Sequence, residues 1–424
     1  MDKTVPEYRT EPGAAAMERR LRSLLTAGVP VRCRVYPGLA APGTHSAGHA
    51  KVTHTLATHL ADGTTAELPD FNINPPPVLR ALSAASLGRA DGLGSDMTAF
   101  PRDLASELWQ RVEERTRDGR ALTDDERRVG SDVLLRLGYP DRAADLLGLT
   151  GRDPAGHVFS PTLAMRELAV FFRRPHDTAA VEALALRGAR DDRLGPRIRL
   201  ALANFVVVRN GKRGSDTAAL HEAAAIGERA MTELPANGLT THLDRQTYYR
   251  AAAFVPFVRR NAQATSALLE LALENQLAGR EEAERAGGLA ELAWRDYAFP
   301  VHETLARTHL LQNDPERAVT ASDSLVALDP NDQRAWAIRG RALLAAGRWE
   351  EAATTFARGV DLGGLPAAAA AFYGAWTAER LGRTDEAREL CELSARIDPT
   401  APAVHELAER LGLRTPAGTV PAGR

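Results

Sequence analysis

The sequence predicts a mainly α-helical protein: a stacked array of helix pairs with a small N-terminal α+β lobe. Three observations lead there. A helix-turn-helix phrase recurs near the C-terminus, as LQNDPERAVTA (311–321), AAGRWEEAATT (345–355) and RLGRTDEAREL (380–390). Apolar side chains fall at steps of three and four nearly everywhere after Pro101, the period of a helix with one buried face. Before residue 72 the pattern changes to period two, the mark of a half-buried strand.

The recurring phrase has a fixed period. Ala318, Ala352 and Ala387, which open each second helix, lie 34 and 35 residues apart, and Asp-Pro follows the second helix at Asp329-Pro330 and Asp398-Pro399. In the middle copy Trp336, Gly340, Leu343, Leu344 and Gly347 put an apolar stripe with a close-approach glycine on one helix, and Trp349, Ala352, Ala353, Phe356 and Val360 do the same for the next. A helix pair cannot bury both stripes alone, so neighbouring pairs must stack. These residues resemble the tetratricopeptide repeat (TPR) family, which implies a TPR-type α-solenoid, a right-handed superhelix of helix pairs. The pattern departs in two places. Arg339 stands where the family has a leucine, and the middle copy closes as Asp361-Leu-Gly-Gly364, one residue longer and without Asp-Pro. Residues 403–413, with Val404, Leu407, Ala408 and Leu411 on one face, are expected to form a polar-backed capping helix.

Upstream the repeat weakens. RLGYPDRAADLL (136–147) and LAGREEAERAG (277–287) carry the same turn, and Ala283 lies 35 residues before Ala318. Between them six helices are expected (about 162–173, 177–190, 196–209, 216–234, 242–260 and 262–279), where strict pairing needs seven. The expected organisation is therefore a lobe at 1–98, degenerate repeats at 99–298, three clear repeats at 299–399, a cap at 400–413 and a flexible tail at 414–424. Within the lobe a short amphipathic helix (14–27) precedes a strand at 29–36. A second strand at 49–60 and a hairpin turn at Asp62-Gly63 lead into a third strand at 64–71.

Composition sets limits on function. At 424 residues, 44% hydrophobic but only 5% aromatic, the core must be alanine-rich and close-packed. A formal charge of −2 gives no global attraction to nucleic acid or acidic membranes. With no run of eighteen apolar residues and no signal-peptide start, a cytoplasmic protein is expected. Cys33 and Cys391 fall in separate lobes and read as buried thiols. Lysine supplies only three of the 53 basic residues, a bias that GC-rich coding produces, so a high-GC bacterium is the expected source.

Three constellations could carry chemistry. His45, His49, His54 and His59 crowd one segment, but on a strand His54 and His59 point to opposite faces and on a helix they stand about 140° apart, so no metal is expected. Arg209-Asn-Gly-Lys-Arg-Gly214 lacks the spacing of a phosphate loop and reads as a helix-helix turn. No motif supplies a nucleophile with its base, so neither an enzyme nor a cofactor is expected. The third constellation comes from the family resemblance, which implies a concave groove lined by the first helix of each pair. The side chains mapping there are Glu303, Arg307, Arg334, Ala337, Arg341, Phe372, Tyr373, Trp376 and Arg380, with Arg307, Arg341 and Trp376 at equivalent places. Guanidinium groups beside aromatic rings suit a peptide with carboxylates and an apolar anchor. Against that, Phe372, Tyr373 and Trp376 could instead pack beneath the cap. The expected function is a non-catalytic scaffold or adaptor for an acidic protein or peptide partner, without direct nucleic-acid or membrane contact and compatible with homo-oligomers. Two alternatives stand beside it: a TPR-containing regulator of transcription or of a biosynthetic enzyme, and an accessory factor with a metal or catalytic site in the N-terminal lobe.

Overall fold

The computed structural model describes residues 45–65, 68, 71, 106–117, 122–174, 176–234, 239–363, 366–398 and 401–413. The described residues form two compact units, one between 47 and 301 and the other made of His45, Ser46 and the residues from His302 onward. The dividing line falls inside the helix Gly288–Leu311, one residue beyond its internal proline, Pro300. Among the described residues there is no strand, and no helix is long and apolar enough to cross a membrane.

The first unit opens with α1 (His45–Asp62) and α2 (Glu107–Arg117), followed by α3 (Asp124–Leu137) and α4 (Pro140–Leu146). The expected strand at 49–60 is thus helical. Val52, Leu56 and Leu60, four residues apart, are fully buried along one side of α1 together with Ala57. That spacing is the helical period, and it prevails over the local alternation that suggested a strand. Asp62-Gly63 does turn the chain, but as a helix terminus: Gly63 adopts φ +70° and the Thr64 amide donates to the His59 carbonyl at 2.9 Å. None of the described residues between 64 and 71 is in a strand, and the strand expected at 29–36 lies outside the described residues.

Local signals account for the next boundaries. Thr123 and Glu126 make a reciprocal capping box at the start of α3. Gly138, with φ +88°, ends α3, and Pro140 opens α4, so the turn read at 136–147 is present. Beyond a short 3₁₀ turn (Pro154–Gly156) come α5 (Ala164–Arg173), α6 (Thr178–Ala189), α7 (Pro196–Lys212), α8 (Ala218–Thr232), α9 (Leu239–Ala252), α10 (Phe254–Val258) and α11 (Ala262–Ala286). The arginine-rich segment 209–214 is the end of α7 and its exit. Arg209 and Arg213 both pair with Glu182 on α6.

The turn expected at 277–287 is not formed. α11 runs unbroken through Gly279 to Ala286, and the chain breaks instead at Gly287-Gly288, where both residues have positive φ. Gly279 and Ala283 are buried along one side of α11, so burial held the helix together where the local phrase suggested a break.

The second unit continues from α12 (Gly288–Leu311) through α13 (Pro315–Leu328), α14 (Gln333–Ala345), α15 (Trp349–Leu362), α16 (Pro366–Arg380), α17 (Thr384–Ile397) and α18 (Pro402–Arg410). Asp314 caps α13 and Asp332 caps α14 through their side chains. Ala318, Ala352 and Ala387 are fully buried where paired helices cross. α18 buries Val404, Leu407 and Ala408, with Leu411 just beyond it, and Cys391 lies beneath with its thiol 3.8 Å from the Val404 carbonyl.

Burial pushes the Cys391 thiol up to about 11 from an ordinary 9.0. The raised value keeps the thiol protonated in the fold after an unfolded chain would ionise. Its contribution to stability is therefore complete below pH 9 and is lost as pH rises toward 11. Iodoacetamide at pH 8 is expected to leave Cys391 unmodified in folded protein and to alkylate it in urea, as read by peptide mass. Equal rates in both states would show that the thiol is open to solvent.

Candidate functional site

The first helix of each pair, namely the end of α12, then α14 and α16, carries the side chains expected in the groove. Glu303 and Arg307 sit one turn apart on α12 and pair at 3.0 Å, with the Arg307 side chain about half exposed. Arg334 is half-buried at the start of α14. Its Nε and Nη2 donate to the Asp332 carboxylate at 3.0 and 2.5 Å, while that carboxylate also caps the helix. Burial alone would lower the Arg334 pKa, but Asp332, with Glu303 and Asp329, holds it above the ordinary arginine value. The guanidinium is thus engaged by its own helix cap, which the sequence reading of Arg334 as a groove residue did not anticipate.

Tyr373 and Trp376 are each only 2% exposed. The Tyr373 ring stacks on Phe356 of α15 at 5.7 Å, and Trp376 stacks on Trp349 of α15 at 5.4 Å. Phe372 is buried beside Tyr373. Tyr373 and Trp376 therefore join α16 to α15, and all three aromatics are buried, where the sequence had placed them along a groove. The ladder of Arg307, Arg341 and Trp376 loses its third rung for the same reason. Two arginines lie over these buried rings: Arg341 of α14 over Tyr373 at 5.4 Å, and the exposed Arg380 over Trp376 at 5.0 Å. In each set the arginine is more exposed than the ring beneath it.

Arg339, the departure from the repeat pattern, spans two second helices. Its Nε donates to Asp323 of α13 at 2.7 Å and its Nη1 to Thr355 of α15 at 2.9 Å. The substitution of arginine for leucine was visible in the sequence, but its partners were not.

The histidine segment is divided among different tasks. His49 is buried, with Nδ1 lying 2.6 Å from Arg136 Nη2 and 3.2 Å from Asp296 Oδ1. Arg136, fully buried, also donates to Asp296 Oδ2 at 3.0 Å and to Thr53 at 3.1 Å. This network joins α1, α3 and α12. His54 is exposed, and His59 Nδ1 bonds Thr64. No group of three metal-ligating side chains occurs among the described residues.

Residues 303–365 and 340–402 match the family model described as tetratricopeptide repeat. No curated protein matches the chain. Among solved structures it is similar to YrrB, "a TPR protein with an unusual peptide-binding site", at 18% identity over 53% of this chain and 97% of that one, TM-score 0.35. It is also similar to the TPR2AB domain of yeast Sti1 in a pHSP90 complex, at 14% identity over 68% and 98%, TM-score 0.26. A third likeness is to the Cut9–Hcn1 hetero-tetramer of the APC/C, at 12% identity over 86% and 87%, TM-score 0.25. The repeat match covers residues 303–402 of the 424.

Proposed function

We propose that this chain, tetratricopeptide-repeat in family through residues 303–402, is a non-catalytic scaffold that holds an acidic peptide or protein segment on the first-helix face of its second unit. The observation that supports this reading is the pair of arginine-capped aromatic stacks. The Arg341 guanidinium carbon lies 5.4 Å from the Tyr373 ring and that of Arg380 5.0 Å from the Trp376 ring, contacts that favour an ordered guanidinium before a ligand arrives. Ordering in advance lowers the entropy lost on binding, and a planar guanidinium can take a carboxylate through two parallel hydrogen bonds. Arg307, one repeat upstream, extends the row, tempered by Glu303. Glu303, Tyr373 and Trp376 serve this surface indirectly, by pairing with or supporting its arginines, while Arg334 is held by Asp332.

The test is charge reversal at the better-supported arginine. Arg341→Glu is expected to lower stability by about 0.5 to 1 kcal/mol, the worth of an exposed cation–π contact. It should weaken an acidic partner, captured from native lysate and identified by mass spectrometry, by about 2 kcal/mol or more, because repulsion adds to the lost contact. If the partner binds Arg341→Glu and Arg380→Glu unchanged while both variants fold, this face is not the site.

A further inference from the structure

The second helices carry a different feature, a cleft of about 460 Å³ between α15 and α17. Its floor is explained by the repeat. At the preceding junction Asp323, Arg339 and Thr355 meet, with the Arg339 side chain lying across from α13 to α15. Shifted by one period, those three positions become Ala357, Gly374 and Leu390. All three line the cleft, which is therefore the space that an arginine fills one repeat earlier. Gly374 keeps it open but narrow: a Cβ there would stand 3.2 Å from Leu390 Cδ1. The walls are apolar, while the mouth carries Asp361, Glu386, Glu389 and Glu392 against a single Arg396. All five mouth residues are exposed, and Glu386 has Arg383 at 3.8 Å.

We propose that this cleft is a second docking site, taking an amphipathic segment of a partner protein that carries arginine or lysine beside a leucine-sized anchor. Charge complementarity selects that occupant. An aliphatic stem can lie over Ala357, Gly374 and Leu390 while its cationic head reaches the carboxylates, as Arg339 reaches Asp323 from within the chain. An acidic segment would meet a mouth of its own sign. The site lies on a different helix face from the arginine stacks, so the two surfaces can succeed or fail separately.

The experiment uses three acetylated, amidated, fluorescein-labelled twelve-residue peptides. One has leucines at helical spacing with arginines between, one has glutamate for arginine, and one has serine for leucine. Anisotropy with the full chain at 0.15 M salt is expected to show saturable binding of the first peptide alone. Two variants at exposed positions should each weaken it at least tenfold: Ala357→Trp, which fills the cleft, and Glu389→Lys with Glu392→Lys, which reverses the mouth. Arg341→Glu should leave it unchanged. The charge-reversal pair keeps the test decisive if Ala357→Trp melts early by circular dichroism. The proposal is overturned if the first peptide shows no saturable binding below 1 mM, if the serine peptide binds as well, or if the folded variants bind as wild type does. A wild-type dimer that Ala357→Trp converts to monomer would assign the cleft to a second copy of this chain and likewise overturn it.

Discussion

Replacing Asp296 with alanine is expected to destabilise the first unit by about 3 to 5 kcal/mol, because it leaves the fully buried Arg136 guanidinium without its counter-charge. Thr53 and His49 remain beside Arg136, but neither carries a compensating negative charge. Urea unfolding followed by far-ultraviolet circular dichroism measures the loss. A change below about 1 kcal/mol would mean that water reaches the site. Replacing the pair together, with Arg136→Met and Asp296→Leu, should recover much of the stability, because no buried charge is then left over.

The same pair makes an acid limb. Burial alone would raise the Asp296 pKa, but Arg136 and His49 hold it well below the ordinary 3.8. An unfolded chain therefore takes up a proton before the folded one does as the solution is acidified. Stability from this group is complete above pH 3.8 and declines as pH falls toward the depressed folded value. In Asp296→Asn that part of the decline should be missing.

The second large effect belongs to Phe356 in the array. Its ring is fully buried, with Tyr373 stacked on it and Gly340 against its edge. Phe356→Ala is expected to cost about 3 to 5 kcal/mol, since both the ring's transfer energy and the cavity it leaves count against folding. Gly340→Ala approaches the same contact from the other side. A Cβ at 340 would stand 2.3 Å from Phe356 Cε1, and Tyr373 limits the ring's retreat, so overpacking of about 1 to 3 kcal/mol is expected. The two should not add: with alanine at 356, the added methyl at 340 has room and its penalty should vanish. Thermal melts of the four proteins in the cycle decide this. Additive losses would refute the close contact as the reason for glycine at 340.

How far the chain could be read depended on the range of the interaction that fixes each feature. In the array, caps, glycine turns and apolar stripes all act within one helix pair. The apolar stripes that include Gly340 and Phe356, and the buried alanines at 318, 352 and 387, were accordingly visible in a pattern with a period. Around 45–62 and 277–287 the local pattern was misleading. Val52 and Leu56 serve a helix as readily as a strand, and LAGREEAERAG offers a turn that a buried helix side overrules. The side chains with most bearing on function were the least legible. Whether Trp376 lies in a groove or against Trp349 depends on the phase at which α15 meets α16.

The linear order of residues was sufficient for the repeat, its period of 34 to 35, its alanine crossings and its apolar faces, because each follows from contacts a few residues apart in sequence. The engagement of Arg334 by Asp332, the capping of Tyr373 by Arg341, the burial of His49 beside Arg136 and Asp296, and the cleft over Gly374 emerged only from packing. Apart from the short Asp332 link, they join helices distant in sequence. Their outcome rests on the phase and separation at which the packed helices meet, which spacing within a single helix does not specify.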